Sequence, residues 1–167
     1  MPGPPLSLDS YVDINANTSM SRRDDLPPEI TLMVRDTCLC LHVQRAARAV
    51  ARRFDEALRP VEITNGQFSL LMSLNWPEPP SIGKVSATLA MDRTTLTANL
   101  KPLVRRGLVK VTVDPGDKRS RRLVLTPSGK KLLVKALPIW KQTHKEVERD
   151  LPRANADDLR KDLSALS

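Results

Sequence analysis

Residues 108–126 set "LVKVTV" against "RRLVLT" across "DPGDKRS". Two β-branched runs joined by seven residues that include a Pro-Gly pair predict an antiparallel hairpin, with strands over 108–113 and 121–126. The rest of the chain is patterned for helices, so the hairpin must lean on a helical core. The fold class is therefore mainly α (α+β). The tip is unusual in its charge, because residues 113–129 hold Asp114, Asp117, Lys118, Arg119, Arg121 and Arg122.

That local charge matches the distribution along the whole chain. The formal net charge is +8 over 167 residues, and residues 92–131 alone carry eleven Lys or Arg against three Asp. The other 127 residues balance. A basic excess confined to one segment is the electrostatic footprint of a polyanion-binding module, whereas a merely solvated basic surface would spread it. Aromatic residues make up 3% of the chain, which argues against reading single strands by stacking bases on exposed rings. No apolar run is long enough for a membrane span and no secretory leader is visible, so a cytoplasmic protein with no membrane partner is expected.

The elements around the hairpin follow from periodicity and capping. Residues 1–28 hold five prolines and no sustained period, and read as a tail. Leu39, Val43, Ala46, Ala47, Val50, Phe54 and Leu58 form the stripe of a long helix ending before Pro60. Thr64 caps a shorter helix with Phe68, Leu71, Met72 and Leu74, stopped by "WPEPP". Ser81 then caps a helix to about Leu89, and Asp92 caps another that ends at Gly107. In the latter, Leu96, Leu100 and Leu103 face inward, which turns Arg93, Thr94, Thr97, Ala98, Lys101 and Arg105 outward. Thr126 with Pro127 starts a long helix, and Asn155 caps a final one bearing Leu159, Leu163 and Leu166.

Helix, tight turn, helix and basic hairpin describe a winged helix-turn-helix. Its second helix would enter the major groove of double-stranded DNA, where Arg93, Thr94, Thr97 and Lys101 reach base edges or phosphates. The hairpin would place Arg119 in the neighbouring minor groove, whose narrow walls concentrate negative potential. Asp117 is expected to pair with Arg119 and aim it, while Lys118, Arg121 and Arg122 supply salt-dependent phosphate contacts.

These residues resemble a known family. Asp114-Pro115, Asp117-x-Arg119, Leu123-x-Leu125-Thr126 and Gly129 look like the wing motif of the MarR transcription regulators, and "MDRTTLTANLKPLVRRGLV" (91–109) resembles their recognition helix. Ala98, where many relatives carry a longer polar side chain, and Gly83-Lys84 depart from the pattern. The resemblance covers about residues 30–166 and implies a homodimer on a pseudo-palindromic operator. It divides the chain into a tail (1–28), an N-terminal dimerisation helix (29–60), the winged domain (61–126) and C-terminal dimerisation helices (127–167). An isologous dimer would also cover the apolar surface that the terminal helices cannot bury in one small domain.

The resemblance further implies a small-molecule effector, often aromatic or phenolic, in a crevice between dimer interface and winged domain. Here that points to His42, Arg45, Arg48, Phe54, Met72 and Trp76, an apolar slot with a cation for a carboxylate. The alternative is that these are packing and surface residues. Cys40 stands at the reactive-thiol position of the family's organic-hydroperoxide-sensing branch, with Gln44 and Phe54 where that branch has activating tyrosines. Without phenols, a cation or a helix N-terminus beside it, such a thiol stays inert. Cys38, Cys40 and His42 step by two, which scatters them around a helix and away from a shared metal. No phosphate loop and no nucleophile–base set is present, so neither an enzyme nor a cofactor is expected. A winged domain used for protein contacts is the rival reading, and it predicts DNA binding without a steep salt dependence.

Overall fold

A computed structural model describes residues 26–151 and 155–166. The backbone divides into two units, Met1–Ala49 and Val50–Ser167.

In the first unit, α1 spans Pro28–Thr37, with Pro28 opening the helix where its missing N–H costs nothing. The single helix expected from residue 29 to Pro60 is interrupted. Cys38 adopts an extended ψ of 104°, and α2 then runs from Leu39 to Leu58. The interruption is stabilised from both sides. Cys38 N–H still bonds to the Val34 carbonyl at 3.0 Å, while its sulfur accepts the Leu41 N–H at 3.4 Å in the manner of an N-cap. None of the described residues in this unit is buried, and Leu32, Val34, Leu39 and Val43 stay exposed.

The second unit holds one core. Phe54 and Leu58 at the end of α2 are buried, and a 3₁₀ turn over Arg59–Val61 leads to Glu62 in the left-handed region at φ 56°. The helix α3 (Asn65–Ser73) opens with a full capping box: Thr64 accepts the Gln67 N–H, and the Gln67 side chain accepts the Thr64 N–H. Ser81 caps α4 (Ile82–Thr88), and Asp92 caps α5 (Arg93–Arg105). Between them Ala90 takes φ 47°, and Ser86 bonds to the Met91 carbonyl, which closes the tight turn. The α5 helix runs through Pro102, and Gly107 ends the segment at φ 69°.

Strands β1 (Val109–Val113) and β2 (Arg121–Leu125) pair antiparallel, with Val109 opposite Leu125 and Val113 opposite Arg121. The helix α6 (Pro127–Arg149) starts at Thr126, whose hydroxyl accepts the Gly129 N–H at 3.1 Å and lies 2.7 Å and 3.1 Å from the carbonyls of Gly107 and Leu108. Last comes α7 (Ala156–Ser164), capped by Asn155 as expected. Leu58, Leu70, Leu71, Val85, Leu96, Leu103 and Leu123 are the largest fully buried side chains, so the end of α2, the helices α3, α4 and α5, and the hairpin share the core.

Candidate nucleic-acid interface

The leucine spacing of α5 decides which of its side chains are free. Leu96, Leu100 and Leu103 are buried, and Arg93, Thr94, Thr97, Ala98, Lys101 and Arg105 are exposed on the opposite side, as the spacing predicts. The start of the helix is rigid. Asp92 accepts the Thr95 N–H at 2.8 Å and the Thr95 hydroxyl at 2.7 Å, and these bonds hold its carboxyl below the usual range. Thr97 donates its hydroxyl hydrogen back to the Arg93 carbonyl at 2.7 Å, so it offers an acceptor oxygen and a methyl group outward. At the other end Arg106 donates to the carbonyl of Glu62 and lies 3.8 Å from its carboxylate. That contact, invisible in the local sequence, ties the end of α5 to the 3₁₀ turn.

The wing differs from expectation in its internal pairing. Asp117 does not grip the Arg119 guanidinium; its Oδ1 accepts the backbone N–H of Arg119 at 2.9 Å, an Asx turn that shapes the loop. The carboxylate–guanidinium pair of the wing is Asp114 with Arg122, Oδ2 to Nε at 2.6 Å. Asp114 is positioned for it because the strand pairing ends one residue earlier, at Val113 opposite Arg121. The Arg122 hydrogen bond first, and the Gly116 N–H second, draw the Asp114 carboxyl below its ordinary range, and Asp114 in turn raises Arg122. Arg122 is thus half-buried and engaged, where a phosphate contact was expected. Arg121 is exposed, with its guanidinium on the carbonyls of Lys118 and Ser120 at 2.9 Å and 3.0 Å. Lys118 and Arg119 project from the tip, both exposed.

The residues expected to line an effector crevice are distributed over both units. In the first, His42, Arg45 and Arg48 are exposed; His42 Nδ1 lies 2.9 Å from the Cys38 carbonyl and Arg48 lies 3.4 Å from the Gln44 side-chain oxygen. In the second, Met72 and Trp76 are exposed, Trp76 at 69%. Phe54 points into the core, its ring 6.3 Å from that of Trp140, so it is a packing residue and not an open wall. Sequence reasoning missed the cluster it joins: Trp140 stacks on Phe68 at 6.0 Å and on His144 at 4.7 Å. His144 in turn lies 3.1 Å from Glu148, which receives Arg160 of α7 at 2.8 Å. The i, i+4 spacing of Trp140, His144 and Glu148 was a readable signal for that stripe. Cys40 is exposed, and the Gln44 amide donates to its sulfur at 3.2 Å.

Comparison with known proteins agrees with this geometry. The MarR family profile matches residues 63–120, from the start of α3 to the wing tip. The multiple antibiotic resistance protein MarR of Escherichia coli K12 is 32% identical over 114 residues, which is 68% of this chain and 72% of that protein. The chain belongs to the MarR family. It is a member of a family of transcription regulators, and not an enzyme. Among solved MarR-type structures, the M. tuberculosis transcriptional regulator MosR in complex with DNA superposes with a TM-score of 0.70 at 36% identity, covering 77% of this chain and 92% of that one. The transcriptional repressor CouR bound to a 23-mer DNA duplex does so with a TM-score of 0.68 at 31% identity, covering 77% and 91%. These MarR-family superpositions bear out the winged helix-turn-helix architecture. Among the described residues no helix is long and apolar enough to cross a membrane.

Proposed function

We propose that the chain is a cytoplasmic, homodimeric, sequence-specific DNA-binding repressor, released from a pseudo-palindromic operator by a small aromatic or phenolic ligand. The observation that carries the DNA-binding part is the division of α5: three leucines are buried, while Arg93, Thr94, Thr97 and Lys101 are all exposed. The helix stands beside a wing that exposes Lys118 and Arg119. In this reading α5 enters the major groove and Arg119 the minor groove, with Lys118 and Arg121 on phosphates. Dimerisation is supported by unburied apolar side chains near both chain ends: Leu32, Val34, Leu39 and Val43 on α1 and α2, Leu163 on α7, and Leu166 just after it. A ligand acts by preferring a dimer whose recognition helices are wrongly spaced, to the extent of its differential affinity.

The test is fluorescence anisotropy with labelled DNA from upstream of the protein's own gene, titrated at several salt concentrations. A steep negative slope of log K against log salt is expected, together with a loss of about ten-fold or more for Arg119→Ala. Undiminished affinity in that variant refutes the wing assignment, and a flat salt dependence favours a protein-contact module.

A second reading concerns the signal. The Gln44 amide at 3.2 Å gives Cys40 a hydrogen-bond donor where the peroxide-sensing branch has a phenol, and the thiol is exposed. This supports Cys40 as an organic-hydroperoxide sensor in place of an aromatic-ligand crevice. Release of DNA by one equivalent of an organic hydroperoxide in wild type, but not in Cys40→Ser, selects it. Binding that survives oxidation returns the signal to the crevice, with aromatic acids as the compounds to titrate.

A further inference from the structure

Arg122 follows the exposed Arg121 on β2, yet its guanidinium is engaged within the protein. Nε donates to Asp114 Oδ2 at 2.6 Å, and Nη1 lies 3.5 Å from the Pro79 carbonyl. The other oxygen of Asp114 accepts the Gly116 N–H at 2.8 Å, so one carboxylate holds both Arg122 and the first turn of the tip. The backbone on either side is fastened as well. Leu123 N–H donates to the Pro80 carbonyl at 2.9 Å, and Ser81 forms an antiparallel bridge with Arg122. Ser81 is also the cap of α4, its side chain accepting the Lys84 N–H at 3.2 Å. A continuous path therefore runs from the first helix of the helix-turn-helix, through Ser81 and Arg122, to Asp114 and the wing tip. The Asp114 side chain at its centre is only 14% exposed.

We propose that Arg122 is a positioning residue that, through Asp114, sets the wing tip and Arg119 relative to the α4–α5 pair, and makes no phosphate contact itself. A guanidinium closed onto a carboxylate in this way releases no counterion on binding, because the pair is already neutral. The proposal rests on the DNA-binding reading above. It adds that the wing is aimed by a contact to the loop before α4, so the two DNA-reading parts move as one body.

Positioning and phosphate contact predict different arithmetic, readable by anisotropy on the wild-type operator. If Arg122 works through the tip, Arg122→Met weakens binding in the wild-type background but adds no more than about two-fold loss once Arg119→Ala is present. The salt slope in that background then stays unchanged. If Arg122 contacts phosphate, the losses multiply and the slope falls by about 0.9.

Asp114→Asn separates the two more sharply, since it opens the clasp and leaves the arginine charged. Positioning predicts weaker binding; a phosphate contact predicts equal or tighter binding by the freed cation. Arg122→Lys keeps the charge but cannot span Asp114 and Pro79 as a planar fork, so it should fail to rescue. Thermal melts of each variant establish that it is folded under the binding conditions. Multiplicative losses, wild-type affinity in Asp114→Asn, or rescue by Lys overturns the proposal. Absence of specific binding by the wild-type protein is a separate result, and it overturns the DNA-binding reading and this proposal together.

Discussion

Gly129 is buried in the first turn of α6, and its replacement by alanine should destabilise the protein although alanine is the better helix former. A Cβ built at this position lies 2.3 Å from the Leu108 carbonyl oxygen and 2.6 Å from Leu125 Cδ1. The leucine methyl can rotate away; the carbonyl cannot. It belongs to the backbone leading into β1 and accepts the Thr126 N–H at 3.1 Å. The helix and that backbone must part by about 0.7 Å before the contact relaxes even to 3.0 Å. Overpacking of this kind costs about 1–3 kcal/mol, and a weakened cap hydrogen bond adds about 1 kcal/mol. Helix propensity returns at most about 1 kcal/mol. The net loss is about 2 kcal/mol, which for a chain of this size lowers Tm by about 4–8 °C. Circular-dichroism melts at fixed protein concentration measure it, since a dimer's Tm depends on concentration. Gly83→Ala is the matched control: its new Cβ meets nothing nearer than Ser81 Oγ at 4.0 Å, so it should raise Tm slightly. A Gly129→Ala protein that melts at or above the wild type would refute the steric argument.

Two further outcomes concern the core and the wing. Leu103→Ala removes a side chain with no solvent exposure from the centre of the second unit, and urea denaturation should show a loss of about 2–5 kcal/mol with little change in m. The Asp114 clasp carries a pH dependence of fixed sign. Its carboxyl titrates below the ordinary 3.8 in the folded protein, so its contribution is fully present above the unfolded-state value and is lost as pH falls through the folded value. The stability difference between wild type and Asp114→Asn should therefore be constant from pH 7 to about pH 5 and shrink below about pH 4. A difference that grows on acidification would contradict the clasp.

What could be read from the sequence was what neighbouring residues decide among themselves. Thr64, Ser81, Asp92, Thr126 and Asn155 all cap the helices that they precede, because a side-chain oxygen one step ahead of a helix has a local job whatever the tertiary fold. The outward set on α5 followed from leucine spacing alone. The break at Cys38 was hidden because a sulfur acting as a cap has no strong sequence signal, although the apolar stripe begins only at Leu39. Pairing within the wing was misjudged for a different reason. Asp117 and Arg119 are close in sequence, but the loop spends Asp117 on a backbone N–H, and the carboxylate that meets a guanidinium is the one brought across the hairpin by strand register. Phe54 looked like a crevice wall because nothing local reveals Trp140, 86 positions away, against which it packs.

The hydroxyl of Thr126 joins three things at one point: the glycine that ends the recognition-helix segment, the start of β1 and the first turn of α6. With Gly129 packed directly against the Leu108 carbonyl, that joint has no slack. Torque applied to the long shaft of α6 therefore cannot be absorbed where the shaft meets the winged domain. In the proposed dimer it swings the domain whole, as a spanner head follows its handle, so that the spacing of the two heads would be set by the angle of the handles, with each head keeping its form.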